Sequence, residues 1–165
     1  DITLPDANGA ARAIGGALKD AGINPEDVDY VNAHGTGTTA NDVTETRALK
    51  QVFGEHAYRI SVSSTKSMIG HALGGAGALE LAAVLLGMRD GLAPPTANYC
   101  EPDPECDLDY IPNDPREMAI NVAISNSFAF GGLNAVIALR RFDSSLVSFQ
   151  DGLLDPFQFD VGVGF

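Results

Sequence analysis

The sequence predicts an α/β fold of stacked layers, with helices lying on the faces of a sheet. Three observations lead there. Helical and extended patterns alternate in the order helix, strand, helix, strand, buried helix, strand, strand, which suits a layered fold with right-handed crossovers. The stretch Met68 to Met88 carries small and apolar residues on every side of a helix, as a helix buried all round requires. A chain of 165 residues that is 45% hydrophobic and 19% charged has the length and composition of one domain with a core, which excludes intrinsic disorder.

Taken in order, Gly9 to Ala21 places Ala10, Ala13, Ile14, Ala17, Leu18 and Ala21 at spacings of three and four and stops at Gly22, an amphipathic helix with a glycine end. Asn24-Pro25-Glu26-Asp27 is a turn, and Val28 to Asn32 alternates as a short strand that delivers the polar loop His34-Gly35-Thr36-Gly37-Thr38. Asn41 or Asp42 caps a helix over Val43 to Phe53, with Glu45 three residues past Asp42 as in a capping box. Arg59 to Ser63 is the next strand. In the helix of residues 68–88, Gly70, Gly74, Gly75 and Gly77 each cost about 1 kcal/mol relative to alanine, an expense that makes sense where another backbone approaches. Gly91 to Pro115 is a long acidic, Pro-rich connection; Met118 to Phe128 and Leu133 to Phe142 are two strands joined by the tight turn Ala129-Phe130-Gly131-Gly132.

Ten Lys and Arg against 22 Asp and Glu give a net charge of −12, which repels nucleic acid and anionic lipid surfaces. The longest apolar run is broken by Glu80 and is too short to span a bilayer, and the first residues have no basic or apolar leader pattern, so a cytoplasmic protein is expected. Without an initiator Met, and opening as if in mid-loop, the chain reads as a part of a larger protein. Cys100 and Cys106 lie six apart in the acidic loop with no histidine at metal-ligand spacing, so neither a disulfide nor a metal site is expected. Past residue 142, Phe157, Phe159, Val161, Val163 and Phe165 alternate with Gln158, Asp160, Gly162 and Gly164. That segment reads first as a mobile terminal extension, since termini are loose unless tied down; its period of two leaves as the alternative a strand able to cover a sheet edge.

Two of the three histidines sit beside glycines, His34 in Asn32-Ala33-His34-Gly35-Thr36-Gly37-Thr38 and His71 in Lys66-Ser67-Met68-Ile69-Gly70-His71, where loops bring imidazoles and backbone amides to a ligand; His56 reads as a surface residue. The first of these runs with Asn41-Asp42 and Glu45, the run Ser64 to His71 with Gly74-Gly75-Ala76-Gly77 and Glu80, and Asn126-Ser127-Phe128-Ala129-Phe130-Gly131-Gly132-Leu133-Asn134 occur in order. Together they resemble the C-terminal half of a β-ketoacyl-[acyl-carrier-protein] synthase, and most of all the elongating synthases of type II fatty-acid synthesis and their polyketide relatives. The resemblance covers about Ile2 to Phe142, which makes residues 1–142 the domain, with its first strand absent, and residues 143–165 a C-terminal extension.

The resemblance implies a thiolase-like αβαβα fold of which this chain is one half, with a mixed five-stranded sheet and the glycine-bearing helix pairing with its counterpart in the other half. It implies a Cys-His-His site to which this chain contributes His34 and His71, with Lys66 orienting the groups around them. Thr36 and Thr38 match positions that bind the phosphopantetheine arm, and Phe130 matches a gating residue whose backbone N–H helps form the oxyanion hole; Glu80, Phe128, Gly131 and Asn134 support the site. No bound cofactor is implied, since the substrate rides on the phosphopantetheine of an acyl carrier protein. The implied partners are an N-terminal half bearing the nucleophilic cysteine, the carrier protein and a second synthase subunit.

Such chemistry needs these residue types. A thiolate accepts an acyl group from a thioester, and two imidazoles donating through Nε2 then stabilise the charge on the thioester oxygen as malonyl loses CO2. Neither Cys100 nor Cys106 suits the nucleophile, because the carboxylates around them suppress thiolate. The expected function is decarboxylative Claisen condensation once the other half is present, the isolated chain being inactive. The alternatives are a noncatalytic synthase-like module that binds an acyl chain or a partner, and a cysteine-independent malonyl decarboxylase. Ala129 and Leu133 depart from the Gly and Thr usual at their positions and add bulk beside Phe130.

Overall fold

The computed structural model describes residues 4–142 and the backbone of residues 159–164. Helix α1 spans Ala7–Asp20, and the Asp6 carboxylate caps it by accepting the N–H groups of Asn8 and Gly9 at 3.1 and 3.0 Å. Strand β1 is Tyr30–Asn32, α2 is Thr39–Phe53 and β2 is Ser61–Ser63. A single turn, α3 (Lys66–Ile69), precedes α4 (Ala76–Asp90), and β3 (Leu92–Ala93) pairs with β4 (Arg116–Glu117) as a small antiparallel ribbon. The chain then forms β5 (Val122–Ala129) and β6 (Leu133–Arg141), and β7 is Phe159–Gly164.

The main sheet is mixed, in the order β2-β1-β5-β6-β7: β1 runs parallel to β2 and β5, and β6 runs antiparallel to β5 and β7. Successive residues of a strand face opposite sides, so Val31 and Ile124 join α1 and α2 in one core with Ile14, Leu18, Leu49 and Phe53, while Tyr30 and Ala123 join α4 in a second core with Val84, Met88 and Ile120. The expected layered α/β body with a mixed five-stranded sheet is present.

Several boundaries depart from the sequence reading. Helix α2 starts at Thr39 and is capped by Thr38, whose hydroxyl accepts the Asn41 N–H at 3.4 Å; neither Asn41 nor Asp42 caps it, and Glu45 is not in a capping box, because its carboxylate reaches across to the loop after β1. The stretch of residues 68–88 is not one helix. Gly70, at φ +77°, ends α3, and Gly74 and Gly75 precede α4, so these three are loop glycines rather than breaks in a helix. Nor is α4 buried all round: Ala76, Glu80, Val84, Gly87 and Met88 are buried while Leu79 and Leu86 are half exposed. The close approach inferred from glycine occurs at Gly87, where a Cβ would lie 2.8 Å from the carbonyl oxygen of Leu92. The strand read over Met118 to Phe128 begins at Val122 as β5 and runs to Ala129, while β4 lies before it at Arg116–Glu117. The alternating run near the C-terminus is a strand over Phe159–Gly164; the remainder of the 143–165 extension lies outside the described residues.

Candidate active site

Parallel strands β1 and β2 end side by side, and the loops leaving them carry the candidate residues. Asn32, the last residue of β1, is fully buried; its Nδ2 donates to Ser125 Oγ at 3.2 Å and its Oδ1 accepts from the N–H and hydroxyl of Thr65 at 3.3 and 3.1 Å. One amide thereby ties the ends of β1, β2 and β5. Three residues on, Gly35 adopts φ +40°, and a Cβ there would fall 2.5 Å from the Cβ of Ser64, so only glycine lets the two loops touch; Ser64 Oγ donates to the Gly35 carbonyl at 2.8 Å.

Glu45 holds the first loop from α2. Its buried carboxylate accepts the N–H groups of His34 and Gly35, each at 2.9 Å, and Asn126 Nδ2 at 3.0 Å. Burial pushes this carboxyl upward, and the hydrogen bonds from Gly35, Asn126 and His34 pull it back towards ionisation. The sequence reading made Glu45 a helix cap and did not single out Asn126; a charged residue within a helix whose apolar neighbours face the core was the available sign.

Those ties set the His34 ring 5.6 Å from the His71 ring, centroid to centroid and almost perpendicular at 87°, and 5.9 Å from Phe128. His34 is buried, and burial first, then the positive charge of Lys66 and the neighbouring His71, lower its pKa to about 4, so the imidazole is neutral at neutral pH. Among the described residues its Nδ1 has no hydrogen-bond partner. His71 is exposed just past Gly70, and its Nδ1 accepts the N–H of Leu73 at 3.1 Å. That bond leaves the proton of neutral His71 on Nε2, the donor tautomer.

Lys66, at the start of α3, is buried and donates through Nζ to the carboxylate of fully buried Glu80 on α4. A cleft of about 580 Å3 opens beside the site; Lys66, His71, Gly35 and Thr36 line it, and so do Cys100 and Cys106 from the long connection before β4. The fold therefore brings both cysteines of the acidic, Pro-rich connection to the cleft. Both are free, and burial ahead of the carboxylates pushes the Cys106 thiol up, away from thiolate.

The other candidates are distributed differently. Thr36 and Thr38 share a hydrogen bond between hydroxyls at 2.9 Å, and Thr38 also caps α2. Phe130, 75% exposed, sits at the tip between β5 and β6, where Gly131 and Gly132 both take φ +78°. Asn134 stands opposite Phe128 in the β5–β6 register, and its amide nitrogen lies near Gly9 at the start of α1. Among the described residues no group of three or more His, Cys, Asp or Glu is placed to hold a metal ion, and no helix is long and apolar enough to cross a membrane.

Comparison with known proteins gives concordant results. Residues 1–100 match the family described as Beta-ketoacyl synthase, C-terminal domain. The chain is 57% identical over 139 residues to 3-oxoacyl-[acyl-carrier-protein] synthase 2 of Synechocystis sp., covering 84% of this chain and 33% of that protein, and 57% identical over 140 residues to nodulation protein E of Rhizobium meliloti, covering 85% and 35%. It thus spans about a third of the length of the curated relatives it matches. Among solved structures, the ishigamide ketosynthase/chain length factor aligns with TM-score 0.82 and 43% identity over 86% of this chain and 34% of that one. A type II polyketide-synthase acyl carrier protein in complex with its hexaketide-bound ketosynthase aligns with TM-score 0.81 and 47% identity, over 85% and 35%.

Proposed function

Because the chain belongs to the β-ketoacyl synthase family, as a thiolase-like C-terminal part, we propose that it supplies the decarboxylation half of the active site of a β-ketoacyl-[acyl-carrier-protein] synthase. The observation that carries this reading is the pair His34 and His71, held perpendicular at 5.6 Å beside the buried Lys66–Glu80 ion pair.

The reaction divides between two parts of the whole enzyme. A cysteine thiolate from the N-terminal part attacks the carbonyl of an acyl thioester, and the carrier thiol leaves. Malonyl on a carrier phosphopantetheine then enters the cleft, where the Thr36 and Thr38 hydroxyls bind the arm. The bond between its carboxylate and Cα breaks, CO2 departs, and the electron pair moves onto the thioester carbonyl as an enolate. His71 Nε2–H donates to that oxygen, and neutral His34 stands beside it as the second donor. The enolate carbon attacks the acyl-cysteine carbonyl, the thiolate leaves and the β-keto product remains on the carrier. Burial first, and then the positive charge of Lys66, keep His34 unprotonated at neutral pH, so it is the neutral imidazole that serves as the second donor. Phe130, on its glycine hinge, gates the acyl chain, and its backbone N–H serves the oxyanion of the transfer step. A carrier protein is the expected partner, in line with the neighbour that was solved with one.

In the assembled full-length enzyme, His34→Ala or His71→Ala is expected to lower condensation by at least about 10²-fold, the scale lost with one oxyanion donor. Malonyl decarboxylation, followed as CO2 release, should fall with it. Undiminished rates in both variants would remove these histidines from the site.

A further inference from the structure

Where β2, β1 and β5 run side by side into the site, a row of polar side chains is buried in the sheet. Asn32 is the register partner of Ser63 on β2 and of Ser125 on β5, and all three are buried. Tyr30 and Ala123 lie two residues earlier on their strands and belong to the core of α4, so the row stands on the face that α4 covers. Burying such a row is unfavourable unless its groups pair. They do: the Tyr30 hydroxyl shares a hydrogen bond with Ser63 Oγ at 2.7 Å, and Asn32 Nδ2 donates to Ser125 Oγ at 3.2 Å.

Asn32 also reaches beyond the strands. Its Oδ1 takes both donors of Thr65, the N–H at 3.3 Å and the hydroxyl at 3.1 Å. An N–H can only donate, which puts the amide oxygen and not the nitrogen on that side. Thr65 stands at the N-cap of α3, yet its hydroxyl makes no bond to that helix and turns to Asn32 instead. The next residue, Lys66, opens α3 and meets Glu80, and His71 follows just past the end of α3. On the other flank His34 lies two residues after Asn32, with the Ala33 N–H between them donating to the Ser63 carbonyl at 2.8 Å. Ser125 is followed by Asn126, whose amide donates to the Glu45 carboxylate that holds His34 and Gly35. One amide therefore links the segment that carries His34 to the segment that carries Lys66 and His71.

We propose that Asn32 is a positioning residue for decarboxylation: gripping Thr65 on one side and Ser125 on the other, it sets the Lys66–His71 segment against the His34 ring. This rests on the reading of the two histidines as donors to the thioester oxygen. Asparagine suits the task because a single side chain offers a donor to one neighbour and two acceptor sites to the other. An apolar residue of the same size would fill the space and leave the Thr65 donors without a partner, so that α3 could settle at another angle to the loop after β1. Two donors aimed at one oxygen lose effect when either is displaced.

The test uses the assembled full-length enzyme and measures its two half-reactions separately, malonyl decarboxylation as CO2 release and acylation of the cysteine by an acyl thioester. Asn32→Leu removes the three hydrogen bonds of the amide, and kcat for decarboxylation should fall about 10²-fold, the scale of a misplacement of about 1 Å. Acylation should fall far less, whereas a misfolded fraction would lower both alike. Thr65→Val deletes only the hydroxyl and decides alone if Asn32→Leu does not fold: decarboxylation should fall about tenfold, the scale of one hydrogen bond, with KM unmoved. Thr65→Ser keeps the hydroxyl and should restore most of the rate. Equal losses in the two half-reactions, no loss in Thr65→Val, or a loss that Thr65→Ser does not restore overturns the proposal. His34→Ala separates it from the reading beneath it. Full decarboxylation in that variant would end the reading and the proposal together, while a loss in His34→Ala without one in Thr65→Val would end the role of Asn32 alone.

Discussion

Helices α1 and α4 lie on opposite faces of one sheet and are finished differently. Along α1, Ala10, Ala13, Ile14, Ala17 and Leu18 are all buried, with α2 beside it and two strands beneath. Along α4, Glu80, Val84 and Met88 are buried at four-residue spacing, yet Leu79 and Leu86, seven residues apart and so on one side of the helix, stay half exposed, as do Met68 and Ile69 before it, while Leu73 is 79% exposed. The histidines and the buried ion pair belong to this open side. The closed side secures the fold by area removed from water; the open side holds a charged pair in the interior and leaves apolar surface of the kind that marks an interaction site.

The largest effect expected on that contrast comes from the ion pair. Glu80→Ala would leave the Lys66 ammonium buried without its partner, and breaking a buried pair from one side costs about 3–5 kcal/mol. Urea unfolding of the variant should show that loss. The double change Lys66→Met with Glu80→Leu should recover most of it while abolishing condensation, because apolar residues of similar size replace a buried pair at little cost. A double variant as unstable as Glu80→Ala would show that the pair is a structural fixture of the open side rather than part of its chemistry.

A smaller effect follows from His34, whose ring is buried beside that of His71 near an open cleft. Its pKa is about 4 in the folded chain and about 6.5 when unfolded. The unfolded state therefore binds the extra proton first as pH falls, so the contribution is full above about pH 6.5 and is lost between there and about pH 4. His34→Gln should flatten that part of the stability profile. An unchanged slope between those limits would assign it to other groups.

Legibility from sequence followed the same divide. The helix of α1 is written in its spacing of three and four, because every apolar residue there has its partner within this chain. The stretch through α3 and α4 was misread as one buried helix: its composition, apolar on all sides, answers to a surface that this chain leaves open, and Gly70, at positive φ, ends a turn instead of easing helix contact. His34, His71 and Lys66 were found from motifs that keep local order. Glu45 and Asn126 were missed as site residues because their roles depend on contacts 11 and 81 positions apart in the chain, which no local pattern records. The cysteines reach the cleft for the same kind of reason: the path of the long connection is set by β3, β4 and the bridges from Thr96 to Pro112 and from Ser61 to Asp109.

The smallest effect expected is at Leu86, and it sharpens the comparison most because the same loss of a side chain can be made on α1. Ile14 is fully buried, so Ile14→Ala removes packing on the closed side and should cost about 2–5 kcal/mol. Leu86 is 49% exposed, and Leu86→Ser should change the unfolding free energy of this chain by no more than about 0.5 kcal/mol, as exposed substitutions do. Its consequence should appear between molecules: less apolar surface on the open side means less self-association, read as a lower sedimentation coefficient or less light scattering at a given concentration. If Leu86→Ser instead destabilises the chain as much as Ile14→Ala, the outer side of α4 is packed within this chain, and the division into a closed and an open face is wrong.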